Sequence, residues 1–124
     1  MNAKLHIYGD DYPTADGTGE RDYIHISDLI DGHFKAYKMA SNYTKHEIFN
    51  LGTGTSISVL ELIKTFNKIN NTEIAFEVVS RRQGDPAKCF ADPSKANAEL
   101  NWEARYNLEK MCKDSWDAIK NGVK

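Results

Sequence analysis

Hydrophobic positions along the chain alternate between a period near 3.6 and a period of two. From Ser27 onward, Leu29, Ile30, His33, Phe34, Tyr37 and Ala40 keep helical spacing. Ser27 is the expected N-cap, because its hydroxyl can accept a free amide of the first turn. Ser58 and Glu61 form a capping-box pair, and Val59, Leu62, Ile63, Phe66 and Ile69 stripe the helix that it opens. Asp92 followed by Pro93 predicts an N-cap and a first helical residue for a short helix ending near Leu100. Asn107 is the expected cap of a last helix with Leu108, Met111, Cys112, Trp116 and Ile119 on one face, stopped at Gly122.

Period-two or β-branched runs predict short strands over 22–26, 47–51 and 74–79. The first twenty residues hold Gly9, Pro13, Gly17 and Gly19 among Asp10, Asp11, Asp16 and Thr18, which reads as an ordered irregular loop. Residues 81–88 read as a polar loop. The resulting order is loop, strand, helix, strand, helix, strand, helix, helix. Alternation of this kind predicts an α/β fold. Three short strands make a thin sheet, as expected of a domain that belongs to something larger.

Composition narrows the picture without naming a function. The 124 residues carry 16 Lys and Arg against 18 Asp and Glu, a formal net charge of −2. That balance excludes a generally basic nucleic-acid binder. A mean hydropathy of −0.60 and the lack of any long apolar run predict no membrane span. No charged-then-apolar opening segment is present, so no secretory signal is expected. Two cysteines, Cys89 and Cys112, are too few for a disulfide framework and fit a reducing compartment. The length is that of a single domain.

Several clusters have chemical potential. Asn50-Leu51-Gly52-Thr53-Gly54-Thr55 places a G-x-G between a predicted strand and a helix. A dinucleotide fingerprint needs a third small residue at position 57, which is Ile57, and it normally opens its domain. The reading here is a turn whose glycines tolerate positive φ, not a site for NAD. Arg81-Arg82-Gln83-Gly84-Asp85 puts two guanidiniums, a glycine and a carboxylate into five residues. A guanidinium fork matches two phosphate oxygens, and a carboxylate can accept from a vicinal diol. A solvated charged loop is the plain alternative. Arg21 offers a second cation beside the glycine-dense loop, with pairing to Asp22 as its plain alternative. The four histidines have no metal-ligand spacing, and no nucleophile motif is present.

Taken together, the runs Leu5-His6-Ile7-Tyr8-Gly9-Asp10-Asp11-Tyr12-Pro13-Thr14, Asp16-Gly17-Thr18-Gly19 and Arg21-Asp22-Tyr23-Ile24-His25 closely resemble the UDP-glucose 4-epimerase family, within the extended short-chain dehydrogenase/reductases. Asp28-Leu29 with Gly32-His33, Asn50-Leu51-Gly52, Ser58-Val59-Leu60, Arg81-Arg82-Gln83-Gly84-Asp85, Ala91-Asp92 with Ser94-Lys95-Ala96, and Leu100-Asn101-Trp102 extend the resemblance in order and spacing. It covers essentially residues 4–121 and corresponds to the C-terminal third of such an enzyme. The resemblance implies that 1–124 is a C-terminal UDP-sugar-binding domain, with the Rossmann domain absent.

In the family, the N-terminal domain supplies the glycine-rich NAD turn, the catalytic Ser and a Tyr-x-x-x-Lys pair. Here only Tyr106 with Lys110 fits that spacing, immediately before the last helix, so no catalytic residue is assigned. The resemblance implies that NAD belongs to the complete enzyme and that this fragment binds none. It implies UDP-galactose and UDP-glucose as ligands, a Rossmann domain in cis or trans as partner, and a cytoplasmic location in galactose metabolism. By position, His6, Ile7 and Tyr8 are expected at uracil, Arg21 and Arg82 at the diphosphate, and Asp85 at the ribose. Tyr23 and Val59 are expected beside the same ligand. Cys89 stands where some members carry a bulky Tyr lining the hexose pocket, so UDP-N-acetylhexosamines are further expected ligands. A stand-alone UDP-sugar-binding or interaction module without catalysis is the alternative reading. Apolar surface bared by the missing domain is expected to cause self-association.

Overall fold

The computed structural model describes residues 4–122. It contains five short strands and four helices. Strand β1 spans Leu5–Tyr8 and pairs in parallel with β4, Phe76–Val79, with Tyr8 opposite Val79. A second sheet has the order β3-β2-β5. Its strands are two residues each: β2, Glu20–Arg21; β3, Ile57–Ser58; and β5, Lys88–Cys89. Arg21 lies opposite Ile57 in antiparallel register and opposite Cys89 in parallel register.

The helices are α1, Ile26–Met39; α2, Val59–Asn70; α3, Ser94–Leu100; and α4, Leu108–Lys120. A single 3-10 turn, Ala40–Asn42, follows α1. Ser58 caps α2 as its sequence predicts: its hydroxyl accepts from the Glu61 amide at 3.0 Å and donates to Asp16 Oδ2. Asn107 caps α4 by accepting from the Lys110 amide at 2.9 Å. Helices α2 and α4 pack on each other, with the Phe66 and Trp116 rings edge to face at 5.7 Å.

The core cluster is Ala96, Leu100 and Trp102, with Ile24, Ala36, Met39, Phe49, Leu51 and Ala104 packed around it. Asp28 is buried beneath it. Its Oδ2 accepts from the Arg105 and Tyr106 amides at 3.0 Å each, and its carbonyl accepts from Trp102 Nε1 at 2.9 Å. One carboxylate thus fixes the approach of the 102–106 segment to α1.

Five sequence expectations need correction. The first twenty residues contain β1 and β2 rather than loop alone. Residues 22–26 form no strand, because Asp22 turns its carboxylate to other loops and His25 caps α1 in place of Ser27. The His25 Nδ1 accepts from the Ser27 amide at 3.0 Å, and its Nε2 lies 3.1 Å from Asp114 Oδ2. Residues 47–51 are irregular, with Phe49 and Leu51 used as packing groups against Trp102. Pro93, not Asp92, occupies the cap position of α3, while Asp92 Oδ1 accepts from the Ser94 amide at 3.0 Å.

Helix α1 also turns its apolar stripe outward. Ile26, Ile30, Phe34 and Tyr37 are exposed, the last by 78%. The buried face carries Asp28 and Gly32 instead. A Cβ on Gly32 would stand 2.6 Å from Leu51 Cδ1 and 3.2 Å from Trp102, so the small residue permits that close packing.

Candidate functional site

Eight of the nine sequence-predicted residues converge from segments remote in the chain. A cleft of ≈ 270 Å³ is lined by His6, Ile7 and Tyr8 of β1, Arg21 of β2, Tyr23, Val59 of α2, and Arg82 and Asp85 from the loop after β4, together with Tyr12 and Gly19. Cys89 lies outside this wall. It lines an adjoining cleft of ≈ 410 Å³ with Arg21, Asp22, Asn50, Leu51, Phe90, Ala91 and Asp92. Arg21 belongs to both clefts and stands at their junction.

The two consecutive arginines have different employment. Arg81 donates from Nε to Asp11 Oδ1 at 2.6 Å and from Nη2 to the Asp11 carbonyl. Its guanidinium lies 4.0 Å from the centre of the Tyr12 ring. Arg81 therefore clamps the 9–19 loop onto β4. Arg82 faces the cleft, with its guanidinium 4.5 Å from the centre of the Tyr8 ring. Its Nε donates to Asp85 Oδ2 at 2.9 Å, and the side chains are 60% and 25% exposed. An exposed pair of this kind is weak enough to exchange for an incoming anion. Gly84, at φ +88°, makes the left-handed step that brings Asp85 back beside Arg82.

Arg21 does not pair with Asp22. Its Nη1 donates to the Glu20 carbonyl at 2.7 Å, and among the described residues no carboxylate forms an ion pair with it. A guanidinium without a counter-charge at the mouth of two clefts is suited to an anion such as a phosphate. Burial pushes the Tyr23 phenol above its ordinary value of 10.0, against the opposing pull of Arg21. Tyr23 is therefore protonated near neutral pH and can donate a hydrogen bond.

The remaining positions differ in what they can offer. Ile7 is only 2% exposed, so its side chain belongs to the core. The Val59 amide is taken by the Gly19 carbonyl at 3.0 Å, leaving its side chain for the cleft wall. His6 Nε2 lies 3.0 Å from Glu77 Oε1 across the β1–β4 pair. Tyr12 was missed as a wall residue by the sequence reading. Its signal was an aromatic residue embedded among turn formers, held under the arginine adjacent to Arg82.

The G-x-G turn does not fit a dinucleotide. The Thr53 and Gly54 amides donate to the two oxygens of Asp22, at 3.0 Å each. Those amides are unavailable to a pyrophosphate, and Ile57 lies within β3.

A small α/β unit with a cation-flanked cleft defines the class, and comparison with known proteins places it. The chain belongs to the family whose model is described as GDP-mannose 4,6 dehydratase, which matches residues 2–115. Within it, the chain is similar to UDP-glucose 4-epimerases. It is 54% identical over 113 residues to that of Bacillus subtilis, covering 91% of this chain and 33% of the relative. It is 51% identical over 122 residues to that of Haemophilus influenzae, covering 98% and 36%. The chain thus spans about a third of the length of the curated relatives it matches, corresponding to their C-terminal part.

Solved structures agree. The Stenotrophomonas maltophila UDP-glucose-4-epimerase, with bound NAD and formylated UDP-arabinopyranose, superposes with a TM-score of 0.88 at 43% identity. The match covers 97% of this chain and 37% of that one. The Bifidobacterium longum enzyme, in complex with NAD+ and UDP, gives 0.85 at 43% identity, covering 95% and 35%. This chain is a UDP-sugar-epimerase-related region with an α/β fold. No helix among the described residues is long and apolar enough to cross a membrane.

Proposed function

We propose that residues 1–124 form the C-terminal UDP-sugar-binding domain of a UDP-glucose 4-epimerase, which interconverts UDP-galactose and UDP-glucose when joined to an NAD-binding Rossmann domain in cis or trans. The observation that carries this reading is the meeting of Tyr8, Arg21, Tyr23, Val59, Arg82 and Asp85 around one cleft. In this reading the β1 backbone at 6–8 meets uracil, and the Tyr8 ring lies beside the base. Arg21 and Arg82 grip the diphosphate, while Asp85, released from Arg82, accepts from ribose hydroxyls. The two cations lie on different segments, so both ends of a diphosphate can be neutralised at once.

The domain's task is anchoring. Holding the unreactive nucleotide spends remote binding energy on position and leaves the hexose free to turn. Hydride transfer to and from NAD at the sugar C4 belongs to the other domain, and no residue here is assigned to it. The outward apolar stripe of α1 supports such a partner, because an isolated domain rarely presents four large apolar side chains along one helix. Cys89, exposed in the adjoining ≈ 410 Å³ cleft, supports acceptance of UDP-N-acetylhexosamines by leaving room beside the sugar. A cytoplasmic setting in galactose metabolism accompanies this reading.

Calorimetric titration of the chain with UDP tests the proposal. Binding that weakens about 10-fold or more in Arg82→Ala is expected, since a hydrogen bond to a charged group contributes roughly 1.5–3 kcal/mol. Absence of binding to a folded wild-type chain at millimolar UDP overturns the site as an autonomous one.

A further inference from the structure

We propose that Asp22 is the positioning residue for Arg21, holding the diphosphate-facing guanidinium in place through four hydrogen bonds accepted by its own carboxylate. The proposal rests on the nucleotide reading of the cleft and assigns a role to the G-x-G turn that this reading leaves unused.

The geometry is complete on the protein side. Asp22 Oδ1 accepts from the Thr53 amide at 3.0 Å and from Thr53 Oγ1 at 2.6 Å. Asp22 Oδ2 accepts from the Gly54 amide at 3.0 Å and from the Ala91 amide at 3.2 Å. A carboxylate offers about four lone-pair sites, so this one has little capacity left for a ligand or a cation. The Asp22 amide itself donates to the Cys89 carbonyl at 3.2 Å. Three otherwise separate segments, at 22, 53–54 and 89–91, are therefore joined at one side chain.

The turn sequence matches this use. A Cβ on Gly52 would stand 2.6 Å from Asp22 Oδ2 and 2.6 Å from Ala91 Cβ, so a side chain there would displace the carboxylate or its partner. Gly54 takes φ +76°, which turns its amide onto Oδ2. The glycines serve a carboxylate within the protein rather than a phosphate outside it.

Arg21 depends on this junction because little else fixes it. Strand β2 is two residues long, and its ladder ends at Arg21. The guanidinium's single hydrogen bond is to the neighbouring Glu20 carbonyl. Its direction is consequently set by the backbone at 21–22, which the Asp22 carboxylate ties to the turn and to the segment after β5. Because Asp22 is saturated by amides and a hydroxyl, the adjacent cation is left for an exogenous anion.

The test is a double-mutant cycle on UDP affinity, measured by calorimetry with the full chain. Arg21→Ala is expected to weaken UDP binding about 10-fold or more, and Asp22→Asn by about 5-fold or more. The double variant is expected to bind within about 2-fold of Arg21→Ala, because coupled residues do not contribute independently. Losses that multiply, or wild-type affinity in folded Asp22→Asn, overturn the proposal, since a merely structural carboxylate would act regardless of Arg21. Should Asp22→Asn fail to fold, Thr53→Val removes one of the four donors to Asp22, along with the contacts of that hydroxyl to Thr55. A loss of UDP affinity that vanishes in the Arg21→Ala background supports the proposal, and an unchanged affinity overturns it. Arg82→Ala separates the two readings. If it weakens binding while Asp22→Asn does not, this inference alone falls; if the folded wild type binds no UDP, the cleft falls as an autonomous UDP site and this inference with it.

Discussion

Replacing Asp28 with alanine probes the joint between α1 and the segment leading into α4. The carboxylate side chain is 1% exposed and accepts two backbone amides, from Arg105 and Tyr106. Alanine offers neither amide an acceptor. A buried donor left unsatisfied costs roughly 1–3 kcal/mol, so two would cost about 2–6 kcal/mol. Both amides are only partly buried, and water reaching them keeps the expected loss to about 2–4 kcal/mol. That is a large share of the roughly 5–15 kcal/mol by which a domain is stable. For a chain of this length the melting temperature should fall by about 8–15 °C. The assay is urea unfolding followed by tryptophan fluorescence, which is sensitive here because Trp102 Nε1 donates to the Asp28 carbonyl. The midpoint should move with little change of slope. Asp28→Asn can keep its one acceptor oxygen where Oδ2 accepts both amides, losing only the charge, and should lose less than half as much. A loss below about 1 kcal/mol in Asp28→Ala would refute the claim that this carboxylate holds the 102–106 segment.

Three further outcomes are expected. Burial acts to raise the Asp16 pKa, but hydrogen bonds from Ser58 and Thr18 outweigh it and hold the carboxyl below its ordinary 3.8. The stability this contributes is present above pH 3.8 and is lost as pH falls through the lower folded value; Asp16→Asn should remove that part of the acid sensitivity, measured as urea midpoint against pH. Cys89→Tyr should lower affinity for UDP-N-acetylglucosamine relative to UDP-glucose, and an unchanged ratio by calorimetry would count against the role of that position in the sugar pocket. The chain should self-associate through the α1 stripe, with sedimentation coefficients that rise with concentration and return to monomer values in Phe34→Glu; a concentration-independent monomer in the wild type contradicts this.

Much of the helical part was legible because its signals are local. Ser58 with Glu61 and the Asn107 cap act within one turn, and their helices form where the pattern puts them. The strands were legible only at β4, which lies in an aromatic and β-branched run without competing turn chemistry. In β1, the four residues run directly into Gly9, Asp10, Asp11 and Pro13, and those turn formers mask them. The two-residue strands β2, β3 and β5 exist only through pairing between distant segments, which no local pattern encodes. Helix α1 is the instructive case. Its period was right, yet its large apolar residues face outward, since periodicity marks an apolar face without saying whether the covering partner lies in the same chain.

The resemblance, carried by the order and spacing of the motifs, singled out residues that meet around one cleft, while the division of labour among them was not legible. No local pattern separates Arg81 from Arg82, and only the resemblance singled out Arg82; one clamps Asp11 and the other lies over the Tyr8 ring. Likewise Asp22 was weighed only as a counter-charge for Arg21, whereas its carboxylate is occupied by Thr53, Gly54 and Ala91.

The parallel pairing of β1 with β4 has a kinetic consequence. Arg81 and Asp11, which brace one wall of the cleft, lie 70 residues apart in sequence. The chain between them must be organised before the strands can meet, and closing so large a loop is repaid only when both are in register. The helices, capped by local residues, can form early, but the cleft cannot exist until the two ends of that loop are joined. A UDP-dependent signal would therefore trace the last event of folding rather than the first. On the proposed reading, UDP binds only the finished form, and would stabilise the chain by mass action and draw late intermediates toward completion.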